Sequence, residues 1–229
     1  MSTFLITGAN RGIGLELARQ AAAAGHDVIA AVRDPARADA LSQAAAGAGG
    51  RIEVIAMDVG DDASVAAAQR ALGGRPIQTL INNAGVMGKP KTALDMDGAD
   101  FLATLNVNVL GPMRVTRALL PNLRAAGEAR VAVISSMMGS FNYPGAEHIG
   151  YSTSKTAINR LFHALARELQ KDRIHVAILS PGWVRTDMGG PNATLSVEES
   201  AAGLLREIAR TDATTSGAFR NYAGEKLAW

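Results

Sequence analysis

The amino-acid sequence predicts one α/β domain, a doubly wound parallel sheet with helices on both faces. Short apolar runs alternate with helical segments through the first half of the chain, a pattern typical of right-handed βαβ crossovers. Of the 229 residues, 48% are hydrophobic and 19% are charged, which is the composition of a globular protein. No repeat, low-complexity tract or linker divides the chain, so we expect a single domain over residues 1–229.

Apolar runs of strand length recur along the whole chain, and most have the pattern of strands buried on both faces. The predicted strands are residues 4–7, 28–32, 52–57, 77–81, 131–134 and 174–179, with a candidate edge strand at 219–222. Helical patterns cover residues 15–24, 36–46, 101–123 and 195–209, and a further helix runs from a cap at Asp61 or Asp62 to Leu72. Gly111 and Pro112 are expected to bend the 101–123 helix.

A glycine-rich turn separates the first predicted strand from the first helix. In this position glycines let the backbone approach a pyrophosphate, and the helix N-terminus offers free N–H groups to the anion. The turn therefore predicts a Rossmann-type dinucleotide site, although its spacing is G-x-x-x-G-x-G and not G-x-G-x-x-G. The expected contacts in this turn are Gly8, Asn10, Arg11, Gly12, Ile13 and Gly14.

The residues after the second strand indicate which dinucleotide is bound. Arg33 follows this strand, where an arginine accommodates a ribose 2′-phosphate and an acidic residue would favour the free 2′-hydroxyl. NADPH or NADP+ is therefore favoured over NADH, with Arg11 as a possible second cation. Asp34 is the rival candidate, but with Pro35 behind it this residue is better interpreted as a helix cap.

Polar and small residues also follow the third and fourth strands. Asp58, with Val59 after it, is expected on the adenine side of the cofactor, where a carboxylate can accept from the amino group; the alternative is a turn or a cap. The segment after the fourth strand suits a backbone packed against the cofactor, and its expected contacts are Asn83, Ala84 and Gly85.

Tyr151 and Lys155 are four residues apart in a helical pattern, so they project from the same helix face. The apolar residues Ile158, Leu161, Phe162, Leu165 and Leu169 recur at helical spacing after them. We expect the ammonium to stabilise the phenolate and to lower the pKa of the tyrosine from its usual value of about 10. Such a pair is a candidate proton donor.

Composition excludes several other classes of protein. The chain has no cysteine, so thiol catalysis and disulfides are excluded, and its four histidines lack a metal-binding spacing. There is no G-x-S-x-G elbow, no basic run typical of nucleic-acid or membrane-surface binding, and no apolar run of membrane-spanning length. The N-terminus has the pattern of a strand and not of a signal peptide. We therefore expect a cytoplasmic protein with a small-molecule substrate and no nucleic-acid, membrane or metal partner.

Six motifs, taken together, resemble the short-chain dehydrogenase/reductase family over nearly the whole chain. Besides the glycine turn they are Asn82-Asn83-Ala84-Gly85, Asn108-x-x-Gly111, Ser136, Tyr151-x-x-x-Lys155 and Pro181-Gly182-x-x-x-Thr186. The stretch 182–193 is most similar to the C-factor and Sniffer-type carbonyl reductases. The resemblance implies a homodimer or homotetramer that transfers hydride between nicotinamide and a carbonyl or alcohol substrate.

The resemblance also implies residue roles. Tyr151 would be the general acid or base, Lys155 would lower its pKa and hold the nicotinamide ribose, Ser136 would bind the substrate oxygen, and Asn108 would hold the helix bend and a relay water. The segment after the sixth strand would add cofactor contacts from Pro181, Gly182, Val184 and Thr186.

Some assignments stay open at this point. Ser136 lies fifteen residues before Tyr151, more than is common in the family, so Ser135 is an alternative, as Asn106 is to Asn108. His148 is a minor candidate for a substrate contact. An apolar substrate wall is expected from Met137, Met138, Phe141, Tyr143, Trp183 and Met188, which could equally be core residues. The alternative functions are a dinucleotide-binding signalling protein and an NAD-linked alcohol dehydrogenase.

Overall fold

A seven-stranded parallel sheet forms the centre of the computed structural model, which describes all residues 1–229. The strand order is β3-β2-β1-β4-β5-β6-β7, so the chain reverses direction across the sheet between β3 and β4. Ligands bind at such a reversal, beside the carboxyl ends of the central strands. The strands are β1 (Thr3–Thr7), β2 (Asp27–Val32), β3 (Ile52–Ala56), β4 (Thr79–Asn82), β5 (Ala129–Ile134), β6 (Ile174–Ser180) and β7 (Phe219–Asn221).

Eight α-helices connect and cover the strands. They are α1 (Gly12–Ala23), α2 (Asp39–Gly47), α3 (Asp62–Leu72), α4 (Gly98–Leu105), α5 (Gly111–Ala118), α6 (Leu120–Ala125), α7 (Ile149–Leu169) and α8 (Val197–Arg210). A π-helical turn, Asn106–Leu110, joins α4 to α5, and 3-10 turns occupy Pro35–Arg37, Met137–Gly139 and Gln170–Asp172. No helix combines the length and the apolar character needed to cross a membrane.

Alternate residues of each strand enter two separate cores, one on each face of the sheet. In β1, Leu5 packs with residues of α3, α5 and α7, whereas Phe4 and Ile6 pack with residues of α1, α2 and α8. Both faces are therefore buried, which explains why the central strands are continuous apolar runs with no polar alternation. The predicted doubly wound sheet is confirmed.

The predicted caps illustrate how local sequence sets the helix starts. The Asp61 carboxylate accepts from the Ser64 N–H at 2.9 Å and caps α3, and Ser196 forms a reciprocal capping box with Glu199 at the start of α8. Asp34 accepts from the Ala36 N–H at 3.1 Å, so it is a cap as predicted, but it caps the 3-10 turn Pro35–Arg37, and the α-helix expected from residue 36 begins only at Asp39.

Two local predictions differ from the structure. The irregularity in the 101–123 stretch is the π-helical turn before Gly111, and Pro112 lies in the first turn of α5, where a missing N–H is tolerated. Leu161 is 38% exposed and is not part of the buried face of α7, which Ile158, Phe162 and Leu169 form.

Candidate active site

Three glycines shape the turn after β1, and we call Gly8, Gly12 and Gly14 the glycine cradle. At Gly8 and Gly14 a side chain would collide with nearby backbone atoms. A Cβ on Gly8, at φ +66°, would lie 2.9 Å from the Ala84 Cα. A Cβ on Gly14 would lie 2.3 Å from the Gly8 carbonyl oxygen. Real Cβ atoms do not approach this closely, so the turn requires glycine at these positions.

The loop after β4 holds the glycine cradle from the side. The Asn83 amide donates to the carbonyl oxygens of Thr7 (3.0 Å) and Gly8 (3.1 Å). The Thr7 hydroxyl in turn accepts from the backbone N–H groups of Asn83 (3.0 Å) and Ala84 (3.1 Å). The Asn83 side chain therefore stabilises the conformation of the glycine turn. Asn83 is thus a positioning residue for the predicted cofactor contacts.

The N-terminus of α1 has the features of an anion site. Its N-cap residue, Arg11, is extended and supplies no side-chain cap, and no acidic residue lies in the first turn. The N–H groups at Gly12 and Ile13 therefore remain available to a pyrophosphate, which fits the predicted cofactor. The Arg11 guanidinium itself pairs with Asp187 from the loop after β6, an exposed ion pair that was not expected from the sequence.

The other predicted cofactor residues also lie at the carboxyl ends of the strands. Arg33 is exposed directly after β2. Asp58 follows β3, and one of its carboxylate oxygens accepts from the Gly60 N–H at 2.9 Å. Asp58 therefore stabilises a turn, which was the alternative to adenine binding. Val59 is buried against Gly111, where a Cβ on the glycine would lie 3.1 Å from a Val59 methyl group.

Tyr151 lies in the first turn of α7, two residues after the helix begins at Ile149, and only 8% of its surface is exposed. Burial raises the pKa of its phenol to about 12, and the neighbouring Ser136 hydroxyl offsets only part of this rise. The expected lowering of the tyrosine pKa by Lys155 is therefore wrong for this structure. Desolvation of the phenolate by burial is the larger effect, and Ser136 is the group that opposes it.

Lys155 is buried one helical turn further along α7. Its ammonium donates to the Ile134 carbonyl oxygen at 2.8 Å and lies 5.4 Å from the centre of the Tyr151 ring. Burial lowers the pKa of this ammonium to about 8. The charge is thus held beside the phenol, but it points at the end of β5 and not at the phenol oxygen.

The structure distinguishes the two candidate serines. The Ser135 hydroxyl is buried and donates to the Asn159 side chain at 2.5 Å, so it belongs to the packing of α7 on the sheet. The Ser136 hydroxyl is half-buried, accepts from the Met138 N–H at 3.1 Å, and is the serine hydroxyl close enough to Tyr151 to lower the pKa of the phenol. Ser136 is therefore the serine of the site, despite its unusual distance from Tyr151 in sequence.

The two candidate asparagines are distinguished in the same way. The Asn106 amide donates to the Gly60 carbonyl oxygen at 2.9 Å and holds the loop after β3. The Asn108 side chain is buried in the π-helical turn, where it accepts from the Val86 N–H and donates to the Val86 carbonyl oxygen, both at 2.8 Å. Asn108 therefore holds the loop after β4, between the predicted cofactor contacts and α7.

The loop after β6 lies across the glycine cradle. A Cβ on Gly12 would lie 3.3 Å from the Thr186 methyl group, so Thr186 reaches the start of α1. Val184 is buried, and Gly182, at φ +80°, packs so closely that a Cβ would lie 2.3 Å from Leu195. Pro181 is held by the Ser200 hydroxyl, which donates to its carbonyl oxygen at 2.8 Å. Of the four predicted residues of this loop, Thr186 is therefore the one that contacts the cradle, whereas Pro181, Gly182 and Val184 support the loop behind it.

Apolar side chains are exposed in the loops that follow β4, β5 and β6. Of the six residues expected to form a substrate wall, Met138 is half-buried and the other five are exposed, so none is a core residue. His148 precedes α7 in the left-handed conformation (φ 56°), and its ring Nδ1 is buried without a hydrogen-bond partner. The exposed members of the expected wall are Met137, Phe141, Tyr143, Trp183 and Met188.

Sequence reasoning missed the buried polar residues that support the site from α7. Neither Ser154 nor Asn159 was identified from sequence as a site residue. Both are buried, and Asn159 continues the spacing of four that begins with Tyr151 and Lys155. A polar residue within the buried stripe of an otherwise apolar helix was the available signal.

Comparison with known proteins agrees with this geometry. A family model described as short chain dehydrogenase matches residues 2–194. C-signal of Myxococcus xanthus is 42% identical over 156 residues, which cover 67% of this chain and 93% of that protein.

Solved structures extend the comparison over the whole chain. NADPH-bound carbonyl reductase from chicken fatty liver is 31% identical, with a TM-score of 0.93 over 100% of this chain and 99% of that one. Carbonyl reductase Sniffer of D. melanogaster is 31% identical, with a TM-score of 0.90 over the full length of both chains.

Proposed function

The chain belongs to the short chain dehydrogenase family, and we propose that it is an NADPH-dependent carbonyl reductase in which Tyr151 is the general acid. The observation that carries the proposal is the buried phenol of Tyr151 with the Ser136 hydroxyl and the Lys155 ammonium around it. This cluster lies at the same edge of the sheet as the glycine cradle. The NADPH-bound carbonyl reductase of chicken shares the fold over the whole chain.

Different residues of this chain would bind the cofactor, bind the substrate and transfer the proton. Gly8, Gly12 and Gly14 let the backbone approach the pyrophosphate, and Lys155 and Thr186 hold the nicotinamide end. Bound NADPH supplies the hydride. Ser136 binds the carbonyl oxygen of the substrate beside the phenol, and Tyr151 gives its proton to that oxygen as negative charge develops there.

The raised pKa of Tyr151 suits carbonyl reduction. A phenol with a pKa of about 12 keeps its proton at neutral pH, so the acid is present in its active form. Alcohol oxidation needs the phenolate instead, and in this structure burial opposes that state. We therefore expect the active protonated form for reduction to be fully present at pH 7, and the rate of alcohol oxidation to increase at alkaline pH.

Arg33 supports the choice of NADPH. It is exposed directly after β2, where the adenosine ribose is expected, and the acidic rival Asp34 is occupied as a cap. The Arg11 guanidinium forms an ion pair with Asp187, so Arg33 is the principal cation for a 2′-phosphate.

The proposal is tested by a panel of aldehydes, ketones and quinones with NADPH and with NADH, followed at 340 nm. We expect turnover with NADPH, and a loss of roughly 100-fold or more in kcat for Tyr151→Phe, since general acids contribute about 10²- to 10⁴-fold. The dissociation constant for NADPH should change less than about twofold, because the variant keeps the apolar ring. Full activity of Tyr151→Phe would refute the acid role.

A second candidate is a dinucleotide-binding signalling protein without significant turnover, which the 42% identity to C-signal favours. Tight NADPH binding with no turnover on any carbonyl of the panel would support it over the reductase. An NAD-linked alcohol dehydrogenase would instead show the higher kcat/KM with NAD+ and an alcohol.

We also propose a homodimer or homotetramer. Three leucines on neighbouring helical segments expose apolar surface: Leu102 on α4 (67%), Leu110 on the π-helical turn (53%) and Leu161 on α7 (38%). Contact with another subunit would remove this apolar surface from water. Light scattering of the purified protein tests this assembly.

A further inference from the structure

Ser154 connects the turn of α7 that carries Tyr151 to the loop after β4, and we propose that it is a positioning residue of the reaction. The inference rests on the proposed function, because the geometry that Ser154 maintains is that of the proton donor relative to the cofactor loop. Ser154 itself is fully buried, so it contacts neither solvent nor a substrate from solvent.

A continuous series of hydrogen bonds leads from the loop to the helix. Val86 exchanges two backbone bonds with the Asn108 side chain, each of 2.8 Å. The same Asn108 amide donates its second N–H to the Ser154 hydroxyl at 3.0 Å. The Ser154 hydroxyl then donates to the Tyr151 carbonyl oxygen at 2.6 Å. Every link in this series is a direct hydrogen bond between two protein groups.

The hydrogen-bonding capacity of each group leaves little freedom. A serine hydroxyl has one donor, which the Tyr151 carbonyl oxygen takes, and the Asn108 amide nitrogen has two, which Val86 and Ser154 take. Without the Ser154 hydroxyl, one buried N–H of Asn108 would lose its partner, a state that folded proteins avoid. Asn108 would then rotate or shift, and the loop at Val86 would follow.

The loop after β4, which would shift with Asn108, lies beside the glycine cradle and Lys155. Ala84 packs on Gly8 of the cradle, and a Cβ on Gly85 would lie 3.7 Å from the Lys155 ammonium. A shift of this loop therefore changes the position of the cofactor contacts relative to Tyr151 and Lys155. Catalysis depends steeply on such positions, with a cost of about 100-fold for a displacement of about 1 Å.

The same helix contains a matched control. The Ser152 hydroxyl donates to the Ile149 carbonyl oxygen at 3.2 Å, which is the same bond to the residue three positions earlier. Ser152 has no bond to Asn108 and no part in the proposed chemistry. Ser152→Ala therefore removes an equivalent hydroxyl from α7 and leaves the connection to the loop intact. Alanine favours helix at both positions, so both variants should fold.

The first measurement is steady-state reduction of a carbonyl substrate by NADPH at 25 °C. We expect Ser154→Ala to lower kcat by about 10- to 100-fold with KM changed less than about threefold, and Ser152→Ala to keep kcat within about twofold. In an Asn108→Ala background, Ser154→Ala should have almost no further effect, since both variants break the same connection. A kcat for Ser154→Ala equal to that of Ser152→Ala would overturn the positioning role.

The second measurement needs no turnover. Amide hydrogen exchange of peptides covering residues 83–90 reports the Val86 N–H that Asn108 holds. We expect exchange about tenfold faster in Ser154→Ala and unchanged in Ser152→Ala, because only the first variant releases the loop. Equal exchange in the two variants would refute the connection. Faster exchange in Ser154→Ala, in a protein that reduces no carbonyl, would refute the proposed function and support the connection.

Discussion

The glycine cradle and the buried polar cluster on α7 shape adjoining parts of one site by opposite means. In the cradle, Gly8 and Gly14 lack the side chains that would strike Ala84 and the Gly8 carbonyl oxygen. In the cluster, Tyr151, Ser154 and Lys155 are retained at positions where burial of polar groups lowers stability. Cofactor binding should therefore be most sensitive to added atoms, and catalysis to removed ones.

The largest expected effect is the removal of the buried charge in Lys155→Met. We expect kcat to fall by at least about 100-fold, because the group proposed to hold the nicotinamide end in position is lost. The free energy of unfolding at pH 7 should nevertheless rise by roughly 1–3 kcal/mol, since burial lowers the pKa of Lys155 from 10.5 to about 8 at a corresponding cost in stability. Urea denaturation and steady-state kinetics of the same sample measure both changes.

The pH dependence of that stability difference follows from the sign of the shift. Between the folded pKa of about 8 and the unfolded value of 10.5, the unfolded chain binds the proton that the folded chain has released. The stability of the unmodified protein therefore gains a contribution as pH rises through this range, and its deficit relative to Lys155→Met should shrink. The exposed Lys226 provides the control, because Lys226→Met should show neither effect. Lower stability of Lys155→Met at pH 7 would contradict the assigned cost.

In the cradle, Gly14→Ala should act mainly on cofactor binding. The added Cβ would lie 2.3 Å from the Gly8 carbonyl oxygen and 2.4 Å from the Asn83 amide nitrogen, so the turn must open. We expect the dissociation constant for NADPH to rise by about 100-fold, together with a loss of about 1–3 kcal/mol in stability from overpacking. Fluorescence titration with NADPH measures the first effect.

Gly47→Ala is the control for that experiment. Gly47 is also helical, but nothing lies within 4 Å of the position of its Cβ. The variant should bind NADPH as the unmodified protein does. Unchanged binding by Gly14→Ala would show that the close contacts of the cradle do not govern cofactor affinity.

The smallest expected effect concerns the choice of cofactor. Arg33→Asp should weaken NADPH binding by about tenfold, a typical cost of losing one charge-assisted contact, and should raise the relative kcat/KM with NADH. Arg70→Asp makes the same change of charge on the exposed end of α3, away from the carboxyl edge of the sheet. An equal NADPH-to-NADH preference in the two variants would show that Arg33 does not select the cofactor.

The fold could be predicted because its signals are local. Each central strand is an apolar run buried on both faces, and the caps at Asp34, Asp61 and Ser196 are formed by residues within three positions of the helix start. The exceptions are equally instructive. Leu161 belongs to the same helical pattern as Ile158 and Phe162, yet it is 38% exposed while both of them are fully buried.

The roles of individual site residues depended on partners distant in sequence. Ser135 and Ser136 are adjacent and chemically identical, and only the position of Asn159, 24 residues away, shows which hydroxyl is occupied. The Arg11–Asp187 pair joins residues 176 positions apart and could not be read from the charge pattern. The pKa of Tyr151 was predicted with the wrong sign for the same reason. The four-residue spacing to Lys155 was visible in sequence, but the burial that raises that pKa was not.

The sequence by itself determined the doubly wound sheet, the glycine turn and the set of polar residues at the strand ends, because hydrophobic periodicity and glycine requirements act over a few residues. Tertiary structure alone decided which of these polar groups face the site, how each is hydrogen-bonded, and how far burial moves the pKa values of Tyr151 and Lys155. Those properties depend on which segments pack against one another, and the packing brings together residues that no local pattern connects.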